Sequence, residues 1–220
     1  MMLHEPMRKK ISNWIIPMEG ERILELGTGW GESTELFSQL KPSWKIYTVD
    51  AFDLFGDGRI YPRLNHDEVK KVFDKLSGRN NIIQILSDSS KVPWELPIDI
   101  FYIDAGHSYD EAMKDFLAYH RFVRPGGLII FDDYYQPNNP NNGVMNVVEE
   151  ALLNNKEYQL LFVDIAAILI KMKHHTDLLN FLIERFKLRS YLEIGVFNPN
   201  HNFNKIKCLY KVGVDPDPNA

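Results

Sequence analysis

The chain has 220 residues, of which 45% are hydrophobic and 25% are charged, and its formal net charge is −5. This composition is typical of a globular protein with a full core, and it excludes a chain that is disordered over most of its length. Because the net charge is negative and no basic run dominates, the sequence argues against nucleic acid as a partner.

The cysteine content and the hydropathy of the sequence indicate in which cellular compartment the protein is expected. The single cysteine, Cys208, can form no internal disulfide bond, and the Cys and His spacings of zinc sites are missing. We therefore expect a reducing compartment and a cytoplasmic protein. No apolar run approaches the roughly 20 residues that span a bilayer, and the N-terminal residues do not resemble a signal peptide, so no membrane partner is expected.

Apolar runs bounded by turn residues alternate with helical patterns, which is typical of βαβ units in a parallel sheet. A capping box formed by Ser108 and Glu111 precedes the third of these helices. The predicted helices cover residues 32–40, 67–76 and 109–123. The predicted strands cover residues 22–26, 45–49, 82–86, 98–103 and 127–131.

The sheet is predicted to end in a hairpin. After a loop dense in Asn and Pro, a helix is expected over residues 144–154 and two strands over residues 158–163 and 166–171. Too few residues separate these strands for a crossover helix, so they must pair antiparallel. The predicted fold is a doubly wound, Rossmann-like α/β sheet of seven strands, whose ligands bind beyond the carboxyl ends of the parallel strands.

The loop after the first strand is rich in glycine. Residues 23–34 read ILELGTGWGEST, in which Gly27, Gly29 and Gly31 let the backbone turn sharply and approach a ligand closely. Asp50 ends the second strand, where a carboxylate can accept hydrogen bonds from both hydroxyl groups of a ribose. Together these residues predict a nucleoside site.

Two acidic residues discriminate between nucleoside cofactors. Glu25 lies two residues before the first glycine, and Glu32 begins the following helix. A dinucleotide would place a pyrophosphate at this helix N-terminus, which acidic neighbours oppose. The acids favour a ligand with a cationic end, and an NAD-dependent oxidoreductase is kept as the alternative.

The segment resembles motif I of class I S-adenosylmethionine-dependent methyltransferases, and Asp50 resembles the ribose-binding acid of their motif II. The resemblance implies that Glu25 helps to hold the amino acid part of the cofactor, and that Ser87, Asp88 and Ser89 lie beside the adenine. The cofactor-binding residues that it implies are Glu25, Gly27, Thr28, Gly29, Gly31, Asp50, Ala51, Ser87 and Asp88.

Carboxylates follow the fourth and fifth strands, in DAGHSYDEA at residues 104–112 and FDDYY at residues 131–135. Because parallel strands end at one edge of the sheet, Asp104, Asp132 and Asp133 should converge there. They would repel one another unless they were protonated or bridged by a cation. Magnesium fits, since it prefers oxygen ligands and keeps waters that a substrate can replace.

Residues 22–171 resemble a group of O-methyltransferases that includes macrocin and related sugar O-methyltransferases, and the DAGHSYD and FDDY stretches are the most specific part. The resemblance implies that Asp104, Asp132 and Asp133 are the metal ligands. His107 matches a proposed general base, and His107 or Asp104 could accept the proton of a hydroxyl group. The implied reaction is O-methylation of a small molecule or sugar.

Purely structural roles for these residues remain open at this point. Taken singly, Glu25 could form a salt bridge, Asp50 could cap a helix, Asp88 could stabilise a turn and His107 could cap the next helix. A catalytically silent cofactor-binding module, acting as an assembly or regulatory partner, is a further alternative. Loops at residues 51–65 and 134–142 are expected to cover the site and to select the acceptor.

The tail contains an internal repeat. YLEIGV at residues 191–196, followed by YKVGVD at residues 210–215, mirrors ILELGT followed by IYTVD. We expect residues 1–173 to form the methyltransferase domain and residues 174–220 an incomplete second methyltransferase-like βαβ unit. Only Gly195 remains of the three loop glycines, which argues against cofactor binding there. The unit packs on the first domain or on another subunit of a homo-oligomer, or the chain is part of something longer.

Overall fold

A computed structural model of the chain describes residues 5–52 and 66–216, with side chains from residue 9 to residue 52 and from residue 67 onward. The chain divides into two compact units, Met1–Lys171 and Met172–Ala220. The sequence predicts this boundary two residues later. Within the described residues, no helix is both long enough and apolar enough to cross a membrane.

The first unit is built on a seven-stranded sheet with the order β3-β2-β1-β4-β5-β7-β6. Strands β1 to β5 run parallel to one another, and β7 pairs antiparallel with both β5 and β6. The strands are β1 (Arg22–Leu26), β2 (Lys45–Asp50), β3 (Ile82–Leu86), β4 (Ile98–Ile103), β5 (Val123–Phe131), β6 (Tyr158–Val163) and β7 (Ala167–Lys171). The predicted fold class is confirmed.

In the part of the chain that the structure describes, five helices accompany the sheet: α1 (Glu5–Ile15), α2 (Glu32–Leu40), α3 (His66–Ser77), α4 (Tyr109–Tyr119) and α5 (Val144–Asn154). Strand β4 lies at the centre, and all six of its residues are buried, as expected of a parallel strand covered on both faces. On α4 the buried Ala112, Phe116 and Tyr119 recur every three or four residues and face the core. The predicted capping box of Ser108 and Glu111 is present.

The end of α4 differs from the prediction. The helix stops at Tyr119 rather than at residue 123, and a 3-10 turn, His120–Phe122, follows it. Strand β5 then begins at Val123, four residues before its predicted start, because Val123 already pairs with Ile98. Pro125 and Gly126 lie inside this longer strand, whose pairing with β4 shifts in register between Ile98 and Ile100.

The second unit contains α6 (His175–Phe186) and two parallel strands, β8 (Ser190–Ile194) and β9 (Tyr210–Val214). Their connection holds a three-residue 3-10 turn, Phe203–Lys205, where a βαβ unit would have an α-helix. The predicted pairing of the strands is present, but the crossover helix is not formed in the described residues.

The loop after β1 and the loop after β8 make the same pattern of hydrogen bonds, each within its own unit. In the first unit, Gly27 N donates to the Val49 carbonyl at 2.8 Å and Gly29 N donates to Asp50 Oδ2 at 2.9 Å. In the second unit, Gly195 N donates to the Val214 carbonyl and Phe197 N donates to Asp215 Oδ2, both at 2.7 Å. Phe197 has φ 50°, close to the 47° of Gly29. A bulky residue therefore occupies a left-handed conformation that favours glycine.

Candidate functional site

Backbone hydrogen bonds hold the carboxyl ends of the central strands together. Asp104 N, just after β4, donates to the carbonyl of Leu26 at 2.9 Å. Gly27 has φ 91°, and a Cβ atom on it would lie only 2.1 Å from the carbonyl oxygen of Asp104. Only glycine fits there, so the loop after β1 lies directly against the loop after β4.

Asp50 organises the glycine-rich loop. Its Oδ2 accepts a hydrogen bond from Gly29 N, and its Oδ1 accepts one from Phe52 N, each at 2.9 Å. Burial raises the pKa of the Asp50 carboxyl, and hydrogen bonds from backbone N–H groups oppose that shift. Each carboxylate oxygen retains a second lone pair that can accept a hydroxyl group.

A cavity of about 640 Å³ opens beside these loops. This volume lies within the range of small-molecule sites. Four of the predicted cofactor residues line it: Gly27, Asp50, Ala51 and Asp88. The structure thus brings together predicted residues from the ends of β1, β2 and β3.

Glu25 lies away from this cavity. It is fully buried, and both of its oxygens accept hydrogen bonds at 2.5 Å, from Ser33 Oγ and Thr34 Oγ1 of α2. Burial raises the pKa of Glu25 to about 7, although these hydroxyl groups and Thr48 act in the opposite direction. Glu25 is therefore not among the residues that line the cavity, and its predicted contact with the cofactor stays a prediction.

The other predicted cofactor residues are not among the described residues that line the cavity. They contact the strands and the helix around the glycine-rich loop. Thr28 Oγ1 is hydrogen-bonded to Thr48 Oγ1 at 2.6 Å, and Gly31 packs against the side chain of Leu76. Ser87 N donates to the carbonyl of Asp50 at 3.0 Å, which joins the end of β3 to the end of β2.

A second cluster lies at the ends of β4 and β5. Asp104, His107 and Asp133 each offer one ligand atom, and these atoms lie within 4.8 Å of one another. His107 Nε2 is 3.4 Å from Asp104 Oδ1 and 3.2 Å from Asp133 Oδ2. Asp133 has φ 52°, a left-handed conformation that is uncommon outside glycine and occurs often at functional sites.

Asp132 occupies a different position from the predicted ligand set. The Tyr102 hydroxyl donates to its Oδ2 at 2.6 Å, and Asp133 N donates to its Oδ1 at 3.0 Å. Asp132 is buried, and it is not among the residues whose ligand atoms lie within 4.8 Å of one another. The structure therefore joins His107, rather than Asp132, to Asp104 and Asp133.

The cluster is short of positive charge. Burial raises the pKa of Asp104, and the charges of Asp132 and Asp133 raise it further, against the hydrogen bond with His107. Burial alone would lower the pKa of His107, but the hydrogen bond to Asp104 and the surrounding carboxylates raise it overall. The repulsion among these carboxylates can be relieved by protonation of Asp104 or His107, or by a bound cation.

One wall of the cavity consists of residues that were not predicted from the sequence as site residues. Glu111, Lys114 and Asp115 on α4 line it, beside the apolar stripe of the same helix. Their spacing of three and four residues could have indicated a shared helix face. Residues 53–65, which make up most of the first predicted covering loop, lie outside the described residues.

Comparison with known proteins gives a family. The profile of a methyltransferase domain family matches residues 24–134. The chain is 29% identical over 119 residues to an uncharacterised protein of Acanthamoeba polyphaga mimivirus, covering 50% of each chain. It is 26% identical over 113 residues to malonyl-(acyl-carrier protein) O-methyltransferase 2 of Ilyobacter polytropus, covering 51% of this chain and 39% of that protein. The chain spans half or less of the length of these relatives.

Solved structures share the fold. A candidate caffeoyl-CoA O-methyltransferase from Staphylococcus aureus has a TM-score of 0.59 and 20% identity, covering 78% of this chain and 85% of that one. A candidate methyltransferase from Streptococcus mutans, solved with S-adenosylhomocysteine, has a TM-score of 0.55 and 13% identity, covering 74% and 97%. At these identities the likeness concerns the fold alone. The family match covers half of the residues, and the chain therefore belongs to the methyltransferase domain family, with the class I fold of S-adenosylmethionine-dependent methyltransferases.

Proposed function

We propose that the protein transfers the methyl group of S-adenosylmethionine to a hydroxyl group of a small molecule or sugar, with Mg²⁺ at the cluster of Asp104, His107 and Asp133. One observation carries the proposal. Ala105 and Gly106 line the cavity, and they lie between Asp104 and His107 in the same loop. The cavity and the cluster are therefore adjacent parts of one site.

The cavity suits the nucleoside part of the methyl donor. Asp50 can accept hydrogen bonds from two ribose hydroxyl groups, since each of its oxygens carries one backbone hydrogen bond and retains a free lone pair. The absence of a side chain at Gly27 lets the backbone approach the donor closely. These features fit S-adenosylmethionine.

The cluster suits a hard divalent cation. Asp104 and Asp133 supply carboxylate oxygens, which Mg²⁺ prefers, and their mutual repulsion would be relieved by a cation. The two groups bring distinct chemistry: S-adenosylmethionine supplies a methyl group activated by its sulfonium, and Mg²⁺ supplies a charge that makes a nearby hydroxyl more acidic.

The proton of the acceptor hydroxyl passes to the imidazole of His107 or to Asp104. With S-adenosylmethionine bound in the cavity, the acceptor oxygen would bond to the methyl carbon as the carbon–sulfur bond broke, which would release S-adenosylhomocysteine. Asp104 and Asp133 both contact Nε2 of His107 and orient its imidazole. No covalent enzyme intermediate is needed.

Calorimetry on the full chain tests the choice of cofactor. We expect S-adenosylmethionine and S-adenosylhomocysteine to bind, and NAD not to bind. Asp50→Ala should weaken nucleoside binding by at least about tenfold, since it removes a charged hydrogen-bond acceptor. A matched control is Asp110→Ala, an exposed residue that does not line the cavity. Tight binding of NAD alone would overturn the proposal in favour of an oxidoreductase.

The metal is tested with a panel of hydroxyl acceptors and a radiolabelled methyl donor. Methyl transfer should fall to background in excess chelator and return when Mg²⁺ is added back. Full activity of the wild-type protein in excess chelator would contradict the metal-assisted part of the proposal and leave the methyl donor in place.

A further inference from the structure

Asn142 precedes α5 by two residues and contacts the backbone of Asp133. Its side-chain Nδ2 donates to the carbonyl of Asp133 at 2.7 Å, and its Oδ1 accepts a hydrogen bond from Val144 N, at the start of α5, at 2.8 Å. Because a carbonyl only accepts and an N–H group only donates, these two partners fix the orientation of the amide. One side chain therefore joins the loop after β5 to the beginning of α5.

Gly143, the next residue, contacts the loop after β4. Its N–H group donates to the carbonyl of His107 at 2.8 Å. A Cβ atom on Gly143 would lie 2.3 Å from the backbone nitrogen of Tyr109, the first residue of α4. Only glycine permits this approach, so the beginning of α5 lies directly against the loop that carries His107.

Asn142 and Gly143 together connect the two loops that carry the cluster. His107 Nε2 and Asp133 Oδ2, which are 3.2 Å apart, belong to separate loops, and each loop has a hydrogen bond to this dipeptide. Adjacent residues of one backbone stay at a fixed distance from each other, so the dipeptide limits how far the two loops can separate.

Asp133 depends on such a contact because of its backbone conformation. Its φ of 52° lies in the left-handed region, which is unfavourable for residues other than glycine and persists only where the surroundings hold it. Asp133 N donates to Asp132 Oδ1 at 3.0 Å, and the hydrogen bond from Asn142 holds the carbonyl of the same residue. Without the Asn142 donor the backbone can relax, and the direction of the Asp133 carboxylate changes with it.

We propose that Asn142 is a positioning residue for a divalent cation: through the carbonyl of Asp133, it keeps the carboxylate of Asp133 beside His107. The proposal rests on the proposed function, because it takes Mg²⁺ to be the occupant of the cluster. Residues that orient metal ligands contribute about 10- to 100-fold to metal affinity without contacting the metal. Neither Asn142 nor Gly143 is among the described residues that line the cavity, so nucleoside binding should not depend on them.

A purely structural role for Asn142 makes a different prediction. Its Oδ1 accepts the hydrogen bond that begins α5, and the hydroxyl oxygen of a serine can serve the same kind of turn. The shorter serine side chain leaves the carbonyl of Asp133 without its donor. Asn142→Ser therefore separates the two roles, since it keeps the acceptor for Val144 N and removes the donor to Asp133.

The test titrates Mn²⁺ into the full chain and follows binding by electron paramagnetic resonance. Asn142→Ser should lower the affinity for Mn²⁺ by about 10- to 100-fold. The matched control is Asn139→Ser, because the Asn139 side chain lies in the same loop and hydrogen-bonds to Gln136 and Asn141 instead of Asp133. Its Mn²⁺ affinity, and the affinity of both variants for S-adenosylhomocysteine in calorimetry, should stay within about twofold of wild type.

Unchanged Mn²⁺ affinity in Asn142→Ser, or an equal loss in Asn139→Ser, overturns the positioning role and leaves the proposed function standing. A parallel loss of nucleoside affinity in Asn142→Ser also overturns it, because the whole edge of the sheet would then be disturbed. Failure of the wild-type protein to bind Mn²⁺ overturns the metal-assisted part of the proposed function together with the positioning role.

A second variant covers a failure of Asn142→Ser to fold in a thermal unfolding assay. Asn142→Asp has the same shape as the native residue and keeps an acceptor for Val144 N, but its carboxylate has no N–H donor. Its added negative charge favours cations, so a loss of Mn²⁺ affinity in this variant would come from the missing donor. An undiminished affinity would overturn the positioning role.

Discussion

His107 Nε2 lies 3.2 Å from Asp133 Oδ2, although the two residues follow different strands of the sheet. The left-handed backbone at Asp133 accompanies this contact, and the side chain of Asn142 donates to the Asp133 carbonyl at 2.7 Å. Such a conformation costs free energy of order 1–3 kcal/mol, which the surrounding contacts must offset. His107 and Asp133 thus form a close pair between the ends of β4 and β5.

Asp133→Asn should weaken divalent metal binding by at least about tenfold, because it removes a charged ligand but leaves a residue that tolerates the left-handed backbone. Mn²⁺ titration followed by electron paramagnetic resonance measures the affinity. Asp132→Asn is the matched control, since Asp132 is not part of the cluster of Asp104, His107 and Asp133. An equal or larger loss in Asp132→Asn would favour the ligand set predicted from the sequence over this cluster.

His107→Gln should lower the rate of methyl transfer by about 10²- to 10⁴-fold, the usual contribution of a general base. Single-turnover measurements at saturating metal and methyl donor isolate this step. The affinity for S-adenosylhomocysteine should stay within about twofold, since His107 does not line the cavity in the described residues. An undiminished rate in His107→Gln would assign the proton transfer to another group, with Asp104 the first to examine.

Glu25 makes stability depend on pH. Its pKa rises from 4.5 to about 7 on folding, so the neutral form is favoured in the folded state. The stabilising contribution is fully present below pH 4.5 and is lost as the pH rises through about 7, because ionisation of the buried group then costs free energy. The expected loss is on the order of 3 kcal/mol.

Glu25→Gln should remove this dependence. The free energy of unfolding of the variant, relative to wild type, should therefore rise between pH 5 and pH 8 in urea titrations. Gln can still accept a hydrogen bond from Ser33 or Thr34, so the packing at the start of α2 is kept. A difference between the two proteins that stays constant over this pH range would show that Glu25 is not the titrating group.

Phe197→Gly should stabilise the second unit by about 0.5–1 kcal/mol, because Phe197 holds a left-handed conformation at φ 50° with 74% of its surface exposed. Hydrogen exchange of the β8 and β9 amides measures the local free energy of opening. Phe197→Ala, which keeps the Cβ atom, should give no such gain. Faster exchange in Phe197→Gly would mean that the aromatic ring contributes more than the backbone conformation costs.

The sequence predicted the sheet because apolar runs and turn residues alternate regularly, and strand ends locate a ligand site in a doubly wound fold. It could not predict the exact ligand geometry. Asp132 and Asp133 are identical in type and adjacent, and only the Tyr102 hydroxyl and the left-handed backbone at Asp133 separate their roles. Glu25 likewise matches a motif by position, but hydroxyl groups of α2 draw it into the interior. The cytoplasmic location and the homo-oligomer stay predictions.

The most direct test of the central claim is a crystal structure of the full chain with S-adenosylhomocysteine and Mg²⁺. We predict the ribose hydroxyl groups on Asp50 and the metal ion on Asp104 and Asp133, beside the sulfur of the nucleoside. A nucleoside bound elsewhere, or a metal ion far from its sulfur, would contradict the account.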